Sequence, residues 1–404
     1  MIERLGGYAQ DSWSVNDKLT VNLGFRYDSW WSKANDPDDG GLAGAESFRK
    51  MKDPAYRLGF AYDLFGDGKT ILRGFVGRYY EGLVSGNINP MVTSVPPRIQ
   101  YRWDGSNWYE YSVSGGSQPG AYYLDPDTEN QYTEGIMVGV ERELNQNMSG
   151  SFTFVYKHDK NQIGETYPNA TWEEGTASFS NQYGSYNGVY YYDFKPVNPE
   201  TYTNPRKGDH GVLEEPFRKY WGAIFDFKKR MSDNYSLRAS YTYSRNTGNT
   251  DQNYGTIQGY RWFSQPNAYI NSGGRMPLER PHVFKVTGTY IAPLDIYISP
   301  VFTWFSGTPY GLYYRPSGED YSVKIKVIDG EERHENQHSI DLRIEKTFMI
   351  ADRYRLGVLF DVFNLTNPDY ITGYTSTRIN HPSFMKVDSI ASPRFYQVGV
   401  RLLF

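Results

Sequence analysis

Residues 334–338 read HENQH, the spelling of a zinc-dependent hydrolase motif. In that motif two His one helical turn apart bind the metal, and the Glu acts as general base on a bound water. The chemistry needs His334 and His338 on one helix face, Glu335 beside the metal and a third ligand elsewhere. The flanks have the wrong period for this. Val323, Ile325 and Val327 alternate before the motif, and Ile340, Leu342 and Ile344 alternate after it. Period two belongs to strands, and Asp329-Gly330 adds a turn signal between the two runs. The stretch reads as a loop descending into a strand, with no catalytic centre and no metal site expected.

The other chemical candidates are weaker. DPDDG at 36–40 offers hard oxygen ligands of the kind calcium takes, without the spacing of a built loop. Tyr190, Tyr191 and Tyr192 offer either flat surfaces on which sugars stack or apolar bodies that pack loops together. No nucleophile triad, phosphate-cradling Gly loop or carboxylate pair stands out, so neither enzyme activity nor a cofactor is expected. Cys is absent, which excludes disulfides and thiolate-ligated metals. A formal charge of −4 over 404 residues, with no basic run, leaves no footprint for nucleic acid.

The elements that carry these residues are strands. In KLTVNLGFRYD, Leu19, Val21, Leu23, Phe25 and Tyr27 share one face, opposite Thr20, Asn22, Gly24, Arg26 and Asp28. The same alternation recurs in about thirteen segments, near 4–13, 18–30, 54–64, 69–80, 131–144, 147–159, 217–230, 234–245, 280–292, 295–305, 338–348, 353–364 and 394–404. The first is the weakest. Each is about ten residues or more, longer than a usual soluble strand and long enough to cross a bilayer core at a tilt. The connections alternate as well. Short turns such as VNDK, MSDN and APLD are separated by long polar loops near 31–53, 81–130, 160–216, 246–279, 306–337 and 365–393. Short turns at one rim and long loops at the other describe an antiparallel transmembrane β-barrel of the outer membrane. Aromatic residues (17%) with a mean hydropathy of only −0.66 suit the same reading. Tyr27, Trp30, Tyr243 and Trp304 fall near strand ends, where an interfacial girdle belongs.

On the opposite face, Arg26, Arg57, Arg238, Lys285, Asp341, Arg343, Glu345, Arg355, Asp361 and Arg401, with Arg73, are expected to face a lumen. They serve there as wall charges or as a substrate path. Thirteen antiparallel strands would begin and end in the same direction, whereas single-chain bacterial barrels close with an even count. A possible hairpin at 98–113 would add two strands and keep the parity odd. No secretory signal precedes the first strand. Residues 1–404 are therefore expected to be the C-terminal part of a larger barrel.

Several stretches resemble the TonB-dependent outer-membrane receptors, in particular their Oar-like branch with a carboxypeptidase-regulatory-like domain. They are YAQDSWSVNDKLTVNLGFRYD (8–28), LRGFVGRYYE (72–81), YTEGIMVGVEREL (132–144), ERPHVFKVTGTY (279–290), FSGTPY (305–310), SIDLRIEKTF (339–348), FDVFNLTN (360–367) and SPRFYQVGVRLLF (392–404). The resemblance implies a barrel of about 22 strands plugged by an N-terminal domain, of which these thirteen would be the last. It implies energised uptake through TonB of a metal chelate, an oligosaccharide or a peptide. The implied partners are the missing plug and remaining strands, TonB acting on a TonB box absent here, outer-membrane lipid and the imported ligand. Phe404 matches the terminal aromatic read by the barrel-assembly machinery. A passive outer-membrane porin and a secreted glycan-binding β-protein are the alternative functions.

Overall fold

The structure, a computed structural model, describes residues 2–32, 51–82, 98–103, 105–114, 122–125, 127–182, 184–197, 200–209, 211–249, 266–317, 321–350 and 354–403. The DPDDG stretch and Phe404 lie outside the described residues. Among the described residues there is no α-helix, only a 3-10 turn at Pro266–Tyr269.

Thirteen strands form one meander: β1 (Ile2–Asn16), β2 (Leu19–Ser32), β3 (Met51–Asp63), β4 (Thr70–Tyr80), β5 (Tyr132–Asn145), β6 (Met148–Lys160), β7 (Arg218–Ser232), β8 (Tyr235–Gly248), β9 (His282–Ala292), β10 (Ile296–Phe305), β11 (Gln337–Ile350), β12 (Tyr354–Phe363) and β13 (Phe395–Leu403). Each pairs antiparallel with the next, and β1 and β13 do not pair with each other. Since β1 and β13 run in the same direction, the alternation that builds the sheet also keeps its two ends from closing as an antiparallel pair.

The short turns follow from residues at the strand ends. The Asn16 side chain accepts from the Lys18 and Leu19 N–H groups, both at 2.9 Å, and closes β1 onto β2. Asp233 and Asn234 adopt positive φ (51° and 64°) between β7 and β8, the backbone hand that matches strand twist in a tight hairpin. The Asp63 carboxylate accepts from Gly66 and Gly68 N–H groups between β3 and β4.

Registry places the apolar set on one side throughout. Val21 pairs Phe60, Phe25 pairs Tyr56, Phe152 pairs Phe225, and Phe225 pairs Tyr241. That side is not a core: Phe25 is 53% exposed, Phe225 49% and Val398 69%. A continuous apolar face of this extent is stable against hydrocarbon, not water.

Three expectations change. Trp30 pairs Met51 on the polar side and lies 4.6 Å below the Arg4 guanidinium, so it is no girdle residue; Tyr27, Tyr243 and Trp304 keep the apolar side. The segment at 98–113 does form a hairpin, Arg98–Trp103 with Trp108–Ser114, but as a separate two-stranded sheet. Described parts of the long loops also form strands. Thr171–Asn181 pairs Gly184–Lys195 within the β6–β7 connection, and Ile371–Tyr374 pairs Val387–Ile390 within the β12–β13 connection.

Candidate functional site

The long connections meet in a body of their own at one end of the sheet. Val189, Tyr314, Val323, Ile379 and Phe384, from three different connections, form its buried apolar core. Of the tyrosine cluster, Tyr192 is buried and Tyr191 packs against this core, while Tyr190 meets Tyr192 edge-on at 5.1 Å. Packing of loops therefore accounts for Tyr191 and Tyr192. Asn267 carries the β8–β9 connection into the body: its amide donates to the Tyr192 carbonyl and its carbonyl accepts from the Tyr192 N–H, each at 2.7 Å. The Tyr321 hydroxyl donates to the same Tyr192 carbonyl.

Below this body, HENQH joins three connections. Arg333 and Arg275 both donate to Glu279, each at 2.6 Å, and the Glu279 side chain is fully buried between them. The His334 N–H donates to the Thr308 carbonyl, and its ring stacks on Tyr374 at 5.2 Å with Tyr310 at a similar distance. A Cβ at position 307 would collide with the His334 carbonyl, which is why FSGTPY needs Gly307 there. Glu335 accepts from the Ile371 N–H at 3.0 Å, and Asn336 accepts from the Gly307 N–H at 3.1 Å. Strand β11 begins at Gln337, so His338 is already in a strand, on the apolar side opposite Trp304. The predicted Asp329-Gly330 turn is present, with Gly330 at φ +96° and the Asp329 carboxylate capping the Glu331 N–H. Loop runs into strand, as the period of the flanks required. No group of three or more His, Asp or Glu able to hold a metal occurs among the described residues. Burial pushes the His334 imidazole below its ordinary value, and the Arg280 charge adds to that.

The ten wall candidates all fall on the side opposite the apolar face. Arg26 pairs with Asp28 at 2.6 Å, and Arg4 shares the same carboxylate. Arg343 makes a two-pronged pair with Asp361 (2.7 and 2.9 Å), and Arg401 pairs with Glu345. Arg238 pairs with Asp226 at 3.1 Å, Arg57 lies 4.7 Å over the Tyr79 ring, and Lys285 sits 5.8 Å from the Phe305 ring. Asp341 accepts from the Ser339 hydroxyl and the Asn364 N–H. Arg355 is exposed, opposite Met349 and Leu403. Arg73 pairs with Glu141 at 3.2 Å. Most of these charges are thus matched by neighbours on the same wall.

A recess that single residues did not announce opens on this polar side across β4–β8, with a volume of about 900 Å³. Phe75, Tyr79, Met137, Val155 and Ile224 line its floor, with Lys157 and the Arg218–Asp159 ion pair (2.6 Å) toward the loops. Its signal is spread over five strands, one to four residues each.

A family model, described as the outer membrane beta barrel domain, matches residues 2–322. The chain belongs to that family. An outer membrane beta barrel domain places the protein in the outer membrane and accounts for the exposed apolar face as a lipid-facing one. A curated relative, the TonB-dependent transporter Oar of Myxococcus xanthus, is 23% identical over 90% of this chain and 35% of its own length. The chain thus spans about a third of that relative's length. Among solved structures, the ferripyoverdine receptor of Pseudomonas aeruginosa matches 99% of this chain and 38% of its own, at 14% identity and a TM-score of 0.55. The outer membrane transporter YddB of Escherichia coli matches 99% of this chain and 54% of its own, at 12% identity and a TM-score of 0.53. These proteins are transporters and receptors, not enzymes, in keeping with a HENQH that serves as loop scaffolding.

Proposed function

We propose that the chain is the C-terminal part of the barrel of a TonB-dependent importer, and that the complete protein takes up a substrate too large or too scarce for diffusion. The observation that carries this reading is the open meander: thirteen strands whose ends run parallel and unpaired, in a chain that spans 35% of its TonB-dependent relative. Open strand edges in lipid leave backbone groups unpaired at several kcal/mol each, so further strands of the same protein are the natural partners of β1 and β13. A plug and TonB box from the rest of the protein complete the scheme. The loop body captures the ligand, and the polar wall guides it once the plug moves. The recess across β4–β8, apolar in its floor and charged toward the loops, suits an amphipathic ligand such as a metal chelate, a peptide or an oligosaccharide. The barrel-assembly machinery is the proposed reader of Phe404.

The experiment is to read the frame upstream of Met1 and to record the complete protein in a planar bilayer. A plug-like segment, about nine further strands and an electrically silent bilayer are expected. Strands without a plug, with steady conductance, would establish a passive porin instead.

A further inference from the structure

One row of the polar wall crosses the recess from β3 to β8. Arg57, Gly77, Gly135, Lys157, Tyr220 and Asn246 stand opposite one another in turn. The two central glycines differ. A Cβ at Gly77 would stand 2.7 Å from the Phe75 ring, so that place is already filled. A Cβ at Gly135 would meet nothing within 4 Å. On the far side the Tyr220 ring folds over Gly222, one row further from the loops. Gly135 is therefore bare backbone, with Phe75 and Tyr79 on one side and Lys157 and Tyr220 on the other. Met137 and Val155 close it from below.

The charge at this place is uncompensated. Lys157 is exposed and forms no ion pair with a described carboxylate. Asp159, the acid nearest to it on its own strand, is taken by Arg218 at 2.6 Å and by the Thr133 hydroxyl at 2.7 Å. Arg57, at the end of the row, rests on the Tyr79 ring at 4.7 Å, also without a described carboxylate. A cation beside apolar walls favours an anion, and a charge-assisted hydrogen bond from Lys is among the stronger polar contacts. The β4 and β6 backbones are two strand spacings apart, about 10 Å. That gap admits a flat ring against Gly135 with one edge toward Lys157, and aromatic neighbours offer it faces and edges to pack on. We infer that the recess binds a planar aromatic ring carrying a carboxylate. The ring lies on Gly135 between Phe75 and Tyr220, and the carboxylate accepts from the Lys157 ammonium. This rests on the reading of the polar wall as a ligand path and narrows the ligand to an aryl acid.

The test uses the complete detergent-solubilised protein and 4-benzoylbenzoic acid, an aryl carboxylate whose ketone inserts into neighbouring C–H bonds under light. Peptide mass spectrometry maps the adducts. Wild type is expected to carry them at Met137 and its neighbours in the recess, about tenfold more from the acid than from the uncharged 4-benzoylbenzamide. Lys157→Gln is expected to lower the yield from the acid to that of the amide. Lys228→Gln, exposed on the same wall nearer the short turns, is expected to label as wild type does. Equal labelling of wild type by acid and amide would overturn the inference, and that comparison stands even if a variant misfolds. So would full labelling of Lys157→Gln by the acid. A recess without adducts would show that another part of the protein fills it, and would reject the site as well. The transport reading has its own readout in the plug and the silent bilayer. A plugged, silent protein that ignores the acid would lose only this ligand class, whereas a conducting protein without a plug that labels selectively would keep the site and lose energised import.

Discussion

The Asn267 side chain pairs with the backbone of Tyr192 as a neighbouring strand would, donating to its carbonyl and accepting from its N–H at 2.7 Å each. The two residues are 75 apart in sequence, and both are buried. Two connections are joined at this point by one amide. Asn267→Ala removes both bonds and leaves two buried backbone groups of Tyr192 short of partners. Each such group costs about 1–3 kcal/mol. The Tyr321 hydroxyl still reaches the carbonyl, so the N–H carries most of the loss. Hydrogen exchange of the complete protein is expected to speed up across Gly184–Lys195 while β7 and β8 keep their protection. Unchanged exchange in that hairpin would show the pairing to be dispensable.

Glu279 joins β9 to the HENQH loop through Arg275 and Arg333. Its side chain is 0% exposed, while the Arg275 and Arg333 side chains are 19% and 20% exposed. Breaking a fully buried pair by removing one partner costs about 3–5 kcal/mol; partial exposure of both arginines lowers that figure here. Glu279→Ala is therefore expected to release residues 329–336 to protease in the complete protein. Arg275→Ala, which leaves Arg333 in place, is expected to have a smaller effect. A cleavage pattern identical to wild type in Glu279→Ala would refute the clamp.

Strands were legible because lipid on one side and polar contacts on the other impose period two over ten or more residues. Segment 18–30 becomes Leu19–Ser32 and segment 295–305 becomes Ile296–Phe305. The first strand was faint because Gly7, Ala9 and Asp11 dilute its outward positions between Leu5 and Trp13. Trp30 was misplaced because type and nearness to a strand end do not specify a side, whereas parity with Tyr27 does. The loop body was illegible for a different reason. Its contacts join residues far apart in the chain, such as the Asn181 amide and the Ile379 carbonyl at a separation of 198. No local window contains such a pair. HENQH misleads because the Glu335, Asn336 and Gln337 side chains each find a hydrogen-bond partner outside the motif.

His334 gives the rim a pH dependence whose sign follows from its environment. Burial disfavours the imidazolium and the Arg280 charge disfavours it further, so the folded state holds His334 neutral below its ordinary value. The unfolded loop then binds more protons than the folded one between that lowered value and about 6.5. Stability of the rim rises with pH across this window and falls as pH drops through it. The protection of amides 371–374, where Glu335 and the His334 ring hold the chain, is expected to be lower at pH 5 than at pH 7.5 once the intrinsic exchange rate at each pH is divided out. His334→Phe is expected to abolish the difference. Persistence of the full pH effect in that variant would assign it to other groups.

Lys285 and Val286 are neighbours in sequence and lie on opposite sides of β9, which makes them a direct test of which side meets lipid. Lys285 stands opposite Ser240 and Thr303, with an aromatic ring at 5.8 Å and no ion pair to a described carboxylate. Val286 stands between Ala239 and Phe302 on the apolar side. A charge introduced on the lipid face near the midplane of a barrel costs about 2–4 kcal/mol. An exposed side chain with no special partner usually changes stability by no more than about 0.5 kcal/mol. Unfolding of the complete protein from lipid bilayers by guanidinium is therefore expected to show a large loss for Val286→Arg and almost none for Lys285→Ala. Both variants are read from the midpoint alone if the slope of the transition is unchanged. A loss for Lys285→Ala equal to that for Val286→Arg would mean that the polar side is packed against something as demanding as lipid, and the lumen assignment of all ten wall residues would fail with it.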